Sequence, residues 1–351
     1  MKIRLGILTK DLLYASRLTA ALTAKYAQDF EIYSFTKEDI ALKEGQTHKI
    51  EIMLADETII SDENAFLKHF YLVYLTESRD IEFIRQQPAV FKYQKTELIV
   101  KQLWNLYSEV IGNSKELYKN TNTNCRILAF ASPCGGCGSS SMAAAAAVHF
   151  ARHNKKTMYL NLEKIGSSDV YFHGDGTQNF SDIIFALKGK KANLALKIEA
   201  CLKQDSYGVS FFSQTPQILD MYELNHEEEK NLIQSLAESD AFDVLILDLD
   251  FDLHEQQRKI YALADAVVLT DDGSEVNNQK LNRAWQSLNI LEQSNKIPLT
   301  DKIFLLYNQF KSGSTMPTDV PLNVLGTVPY LQNTQQMLEQ LSAYEFFSSL
   351  L

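Results

Sequence analysis

The sequence predicts an α/β protein made of two three-layer α/β/α domains, and three observations carry that reading. Short apolar runs of strand length alternate with segments of helical periodicity along most of the chain. A glycine-rich stretch, Ser132-Pro-Cys-Gly-Gly-Cys-Gly-Ser-Ser-Ser141, stands between an apolar run and an alanine run. The length of 351 residues exceeds the usual size of one core, and a polar stretch at 113–124 reads as a linker between a first domain, 1–112, and a second, 125–351.

The first domain opens with a strand at Lys2–Leu8, and Leu12, Ala15, Leu18 and Leu22 follow at helical spacing behind Asp11, a residue able to cap that helix. Further strands are predicted at Glu31–Ser34, Ile50–Leu54, Tyr71–Leu75 and Ala89–Phe91. In order and spacing this segment resembles a response-regulator receiver domain of flavodoxin-like fold. Thr9 and Lys10 stand where that family places acidic metal ligands, and Ala55 stands at the phospho-acceptor position with Asp56 one place late. Thr76 and Lys92 match the family's threonine and lysine loosely, each being equally an ordinary surface residue. The resemblance therefore implies a receiver fold without its phospho-acceptor, reused for docking or dimerisation.

The second domain repeats the alternation on a larger scale. Its predicted strands are Ile127–Ala131, Thr157–Leu162, Val209–Phe212, Asp243–Asp248, Ala266–Thr270, Ile303–Tyr307 and Val324–Val328. Continuous apolar runs of this kind suit parallel strands buried on both faces. Ligands of such sheets sit at the carboxyl ends of the strands, where Asn161, Glu163, Asp248 and Asn308 are expected. The last helix, with Met337, Leu338, Leu341, Tyr344 and Phe347, carries no lysine or arginine, so it reads as core packing rather than as a membrane-surface helix.

Strand, glycine loop and helix in this order form a phosphate cradle. Gly135, Gly136 and Gly138 admit backbone dihedrals closed to other residues, so that N–H groups of Cys134 to Ser141 can converge on phosphate oxygens at a helix N-terminus. Ser140 stands where such a loop places its magnesium-ligating hydroxyl. The loop holds no lysine. Cys134-Gly-Gly-Cys137 is also formally a C-x-x-C, which leaves open a redox or metal-binding protein, although no second pair or histidine cluster stands near it in sequence. The helix N-terminus would lower a thiol pKa there, which makes both cysteines candidates for chemical reactivity.

Composition narrows the remaining classes. A 45% hydrophobic and 22% charged chain is globular rather than disordered, and a net charge of −10 disfavours general nucleic-acid binding. The longest apolar stretches are strand-sized, and Met1–Leu8 runs into Thr9-Lys-Asp11 without the pattern of a signal peptide, so no membrane insertion is expected. Four cysteines in such a chain suggest a reducing, cytoplasmic setting. Lys188, Lys190 and Lys191 form a small basic cluster, either a solvated helix end or a partner surface.

These residues together resemble the MinD/ParA family of P-loop ATPases, whose loop carries a signature lysine ahead of its glycines. The receiver-like segment ahead of a degenerate ATPase domain resembles the TadZ/CpaE group of pilus-assembly proteins. By position, the resemblance puts Cys134 at the signature-lysine site, Ser139 at the ordinary P-loop lysine site and Ser140 at the magnesium ligand. It implies that Asp248 is the Walker B carboxylate, holding magnesium through water, and that Glu163 takes the place of the water-positioning aspartate as a catalytic remnant. Asn308 would read adenine and Pro329 would line the base pocket. The implied function is an ATP-binding localisation and assembly factor for a Flp/Tad-type pilus machinery, cytoplasmic and recruited to the inner face of the inner membrane or to a pole, dimeric and slow or inactive in hydrolysis. An active partitioning or positioning ATPase is the alternative.

Overall fold

The computed structural model describes residues 2–110, 125–189, 194–295, 298–311, 318–331 and 337–351. The predicted linker at 113–124, and Lys190 and Lys191 of the basic cluster, lie outside the described residues. The chain divides into two compact units, Met1–Gly112 with Lys191–Ala200, and Asn113–Lys190 with Cys201–Leu351.

In the first unit the apolar runs become β1 (Ile3–Leu8), β2 (Phe30–Phe35), β3 (Ile52–Asp56), β4 (Tyr71–Thr76), β5 (Phe83–Ile84) and β6 (Gln87–Phe91). They form one sheet in the order β2-β1-β3-β4-β6-β5, parallel except for the short β5, which pairs antiparallel with β6. That order is the doubly wound, flavodoxin-like one. The helix Leu12–Tyr26 begins where expected, its Asp11 side chain accepting the Tyr14 N–H at 2.9 Å. Ala15, Leu18 and Leu22 enter the core, whereas Leu12 stays 66% exposed, a correction to its predicted inward position. The helix Leu194–Cys201, expected within the second domain, largely joins this unit: Leu196 packs on its core and the Lys197 ammonium bonds the Asn105 side-chain oxygen.

At the carboxyl end of this sheet Ala55 is fully enclosed and Asp56 emerges. Asp56 accepts a hydrogen bond from the Thr9 hydroxyl and pairs with the Lys92 ammonium. Lys92 is 7% and Thr76 6% exposed, so neither is an ordinary surface residue. The acid that meets this lysine is Asp56, at the position read as one place late.

The second unit contains β7 (Arg126–Ala131), β8 (Thr157–Asn161), β9 (Lys203–Gln204), β10 (Ser210–Phe211), β11 (Val244–Asp248), β12 (Ala266–Asp271), β13 (Ile303–Phe310) and β14 (Asn323–Pro329). Their order is β14-β13-β12-β7-β11-β8-β10-β9, and only the pairing of β9 with β10 is antiparallel. The central β7 is flanked by β11 and β12, so the chain leaves β7 at the point where the strand order diverges. The helix Ser139–Arg152 follows it directly, with every residue from Met142 to Phe150 buried. A helix enclosed on all sides tolerates only small or apolar side chains, and the alanines let it lie close to the sheet. Leu341, Phe347 and Leu350 from the C-terminal segment close the core on its other side, as the cation-free sequence there implied. Among the described residues no helix is long and apolar enough to cross a membrane.

Candidate functional site

The glycine loop turns at the carboxyl end of β7, and its conformation follows from two residues. Gly136 and Gly138 have φ of 80° and 78°, in the region that disfavours side chains. Gly138 also caps the following helix without any side-chain hydrogen bond, which leaves the first-turn N–H groups of Ser139, Ser140 and Ser141 without intrahelical acceptors. These donors and the positive end of the helix stand at the end of a loop whose Gly135 and Gly136 are exposed.

Side chains at the loop's own start and from β13 hold it in place. The Ser132 hydroxyl, 2.7 Å from the Thr270 carbonyl oxygen, also accepts the Cys134 N–H at 3.1 Å. Asn308 at the end of β13 donates to the Cys137 carbonyl at 2.9 Å, and Gln309, itself at φ 59°, donates to the Gly136 carbonyl at 3.3 Å. The loop is thus braced by β12 and β13 rather than by cations. Pro329 is exposed at the end of β14, which pairs with β13.

The two loop cysteines face inward. Cys134 and Cys137 are free thiols, 1% and 2% exposed. Cys134 Sγ lies 3.5 Å from the Asn277 carbonyl oxygen and 3.6 Å from Asp271 Oδ2, while Asn277 Nδ2 donates to Cys137 Sγ at 3.4 Å. The hydrogen bond from Cys134 to Cys137 raises the Cys134 pKa, burial adding to it, and lowers that of Cys137. The N–H of Cys134 is spent on Ser132 and its side chain on Asn277 and Asp271. The residue at the signature position therefore offers the cradle no cation and no free amide.

Opposite the loop, β8 and β11 present a carboxylate cluster. Asp248 is fully buried; its Oδ2 accepts from the Tyr159 hydroxyl at 2.6 Å and from Asn161 Nδ2 at 2.9 Å. Ser140 Oγ donates to Glu163 Oε1 at 3.2 Å, and Asn161 Nδ2 lies 3.1 Å from Glu163 Oε2. Burial, reinforced by the nearby Glu163 charge, pushes the Asp248 carboxyl up to about 8. Burial raises Glu163 as well. The structure brings Ser140, Glu163 and Asp248 together through Asn161; Tyr159, Asn161, Asn277 and Gln309 complete the arrangement. Of these, Tyr159 was findable from its place two residues before Asn161, on the same face of β8.

The fit of a magnesium–triphosphate to this site rests on orphaned atoms. Asp248 Oδ1 and Ser139 Oγ are buried polar atoms that lack a hydrogen-bond partner. A buried carboxylate oxygen without a donor is costly, and a hard divalent cation is the natural complement to it and to a neighbouring serine hydroxyl. Lys164, the cation nearest in sequence to Glu163, is committed elsewhere, to Glu229 and the Met221 carbonyl at 3.1 Å each. Beyond Glu163 a cavity of about 270 Å³ opens among Asn161, Lys164, Phe180, Phe212 and Ile218. Lys188 of the basic cluster bonds the Glu223 carbonyl at 2.5 Å and Glu228 Oε2 at 3.5 Å. Among the described residues, no three-residue cluster able to hold a metal includes Cys134 or Cys137.

Comparison with known proteins adds the lineage of the parts. Residues 1–108 match the family described as "TadZ-like, receiver domain". No curated protein matches the chain significantly. Among solved structures, a ParA family ATPase from Chlorobium tepidum superposes with a TM-score of 0.50 at 20% identity, covering 64% of this chain and 92% of that one. A putative plasmid partition protein from Borrelia burgdorferi bound to AMPPNP gives a TM-score of 0.48 at 17% identity, covering 64% and 95%. The septum site-determining protein MinD of Pyrococcus horikoshii, complexed with Mg-ADP, gives 0.47 at 14% identity, covering 64% and 94%. The N-terminal unit matches the TadZ-like receiver family over residues 1–108, and the second unit shares the fold of the ParA family ATPase.

Proposed function

We propose that this chain, a TadZ-like receiver domain ahead of a ParA-type fold, is an ATP-binding localisation and assembly factor for a Flp/Tad-type pilus machinery, with little or no hydrolysis. The observation that carries the reading is a phosphate loop braced by Asn308 and Gln309, in which both cation positions are filled by neutral side chains, Cys134 and Ser139.

Binding and turnover make different demands on such a loop. Ground-state triphosphate is held by main-chain N–H groups, the helix dipole and magnesium, which Ser140 and Asp248 would hold, the latter through water. Magnesium, when bound, would supply positive charge that offsets the charge of the phosphates. Phosphoryl transfer needs, in addition, positive charge against oxygens that become more negative, and each missing cation commonly costs about two to four powers of ten in rate. Glu163 is held by Ser140 and Asn161, so its carboxylate orders the site rather than standing free as a base. Asn308 keeps its amide nitrogen on the loop, which leaves its oxygen as the group that would read the adenine amine. Pro329 at the end of the neighbouring β14 would line the base.

Nucleotide then acts as a ligand that selects one conformation or one dimer, which recruits machinery proteins at the inner face of the membrane. The test is calorimetry of the full chain with magnesium–ATP, paired with phosphate release over hours. Tight binding with negligible turnover supports the scaffold; rapid turnover, abolished by Asp248→Ala, supports a partitioning or positioning ATPase instead. Absence of any nucleotide binding rejects both.

A further inference from the structure

The helix Ser139–Arg152 carries the glycine loop at its first turn and a cluster of a different chemistry at its last, about 20 Å away at 1.5 Å per residue. His149 and His153 stand one turn apart, with ring centroids 4.3 Å from each other. Glu345, from the C-terminal turn Glu345–Leu350, faces them, and one ligand atom from each of the three lies within 4.8 Å of the other two.

The hydrogen bonds decide which atoms are on offer. His149 Nδ1 lies 3.0 Å from the Ser342 carbonyl oxygen, and His153 Nδ1 lies 2.8 Å from the His149 carbonyl oxygen. A carbonyl only accepts, so each ring carries its proton on Nδ1 and its lone pair on Nε2. Imidazoles that bind metals have this arrangement, the distal N–H fixed by a backbone oxygen that sets both tautomer and ring orientation. His149 Nε2 is 2.9 Å from the Ser348 hydroxyl, a rotor that can turn away or remain beside a bound ion. His153 and Glu345 are exposed, so an ion can enter from solvent.

We propose that His149, His153 and Glu345 form a site for a divalent transition-metal ion of the zinc type, with water as the remaining ligand. Two imidazoles and one carboxylate suit zinc or its neighbours in the series and disfavour magnesium, which prefers oxygen ligands throughout. The ion would fasten the C-terminal segment, whose Phe347 and Leu350 close the core, to the helix that bears the phosphate loop. The inference is independent of nucleotide binding.

The test uses the full-length protein, stripped by chelator and free of nucleotide. Titration with cobalt(II) should give one equivalent per chain, with a ligand-field spectrum of nitrogen and oxygen donors and no thiolate charge-transfer band. Zinc should compete for it and raise the melting temperature. His153→Ala and Glu345→Gln, both at exposed positions, should each weaken zinc by at least about tenfold, by analogy with losses on disturbing zinc ligand shells. A Cys134→Ser, Cys137→Ser double variant should bind as the parent does. Unchanged affinity in His153→Ala, loss of binding in the cysteine variant, or no zinc binding at stoichiometric concentration would overturn the proposal.

Discussion

Asn308 donates its side-chain amide to the Cys137 carbonyl at 2.9 Å, so the end of β13 holds the middle of the glycine loop. Asn308 is 5% exposed, and truncation to alanine strands a carbonyl in a largely buried position. Asn308→Ala should cost about 1–3 kcal/mol of stability and lower nucleotide affinity by about tenfold. Asn308→Asp, which sets acceptor against acceptor, should cost more. Thermal denaturation and calorimetry check both; a variant that keeps parental affinity and melting temperature would make the contact incidental.

Gly136 and Gly138 should fail differently. A β-carbon at Gly138 would collide with the Asn308 amide, whereas at Gly136 it meets nothing within 4 Å. Gly138→Val should therefore lose both stability and nucleotide binding. Gly136→Val should lose binding with a smaller stability penalty, about 1–2 kcal/mol for the left-handed backbone. Equal melting temperatures for the two would contradict the geometry.

Asp248 carries a stability cost that depends on pH. Its folded-state pKa, raised from 3.8 to about 8, means the folded chain binds the extra proton across that window, so stability falls as pH rises through it. Asp248→Asn should stabilise the nucleotide-free protein by on the order of 2 kcal/mol at about pH 8 and by much less at about pH 5. The same variant should bind magnesium–ATP more weakly. Denaturant titrations at the two pH values, read beside calorimetry, decide it.

Ser139 offers a gain-of-function test. Its hydroxyl is buried without a partner, at the position where a P-loop lysine would stand. Ser139→Lys should tighten ATP binding by about tenfold or more, through charge-assisted contact with phosphate. Phosphate release should stay slow, because Cys134 still supplies no cation. A variant that binds no better would indicate that the cradle does not face phosphate there.

The loop thiols should be slow toward alkylation despite their place at a helix N-terminus, because both are enclosed beside Asn277. Cys137, lowered by its hydrogen bond from Cys134, should react before Cys134 once Asn277→Ala opens the contact. Peptide mapping after timed alkylation reads the order.

Much of this was legible in the sequence, for identifiable reasons. The central strands of both sheets, such as β1, β3, β4, β7, β11 and β12, are largely apolar runs flanked by polar breaks, and the loop declares itself by glycine spacing. The register at the end of β3 was not legible. Ile52 to Ala55 are all enclosed, so no alternation marks which face each residue takes, and nothing in the run singles out Asp56 as the acid that meets Lys92. The brace of the loop was also hidden. Asn277 and Gln309 reach it from 140 and 173 residues away, a relation that exists only after the strands are ordered. Short β5 and β9 carry too few residues to show a period.

The placement of Leu194–Cys201 bears on how the chain can be cut. A fragment ending at residue 112 leaves behind the helix whose Leu196 seals the first core, and a fragment starting at 125 carries that helix with its apolar side uncovered. Dissection at the polar stretch thus damages both halves at once. Excision of 191–200 with religation, supplied alongside a first half extended by the same ten residues, is the division that respects the way the polypeptide is threaded.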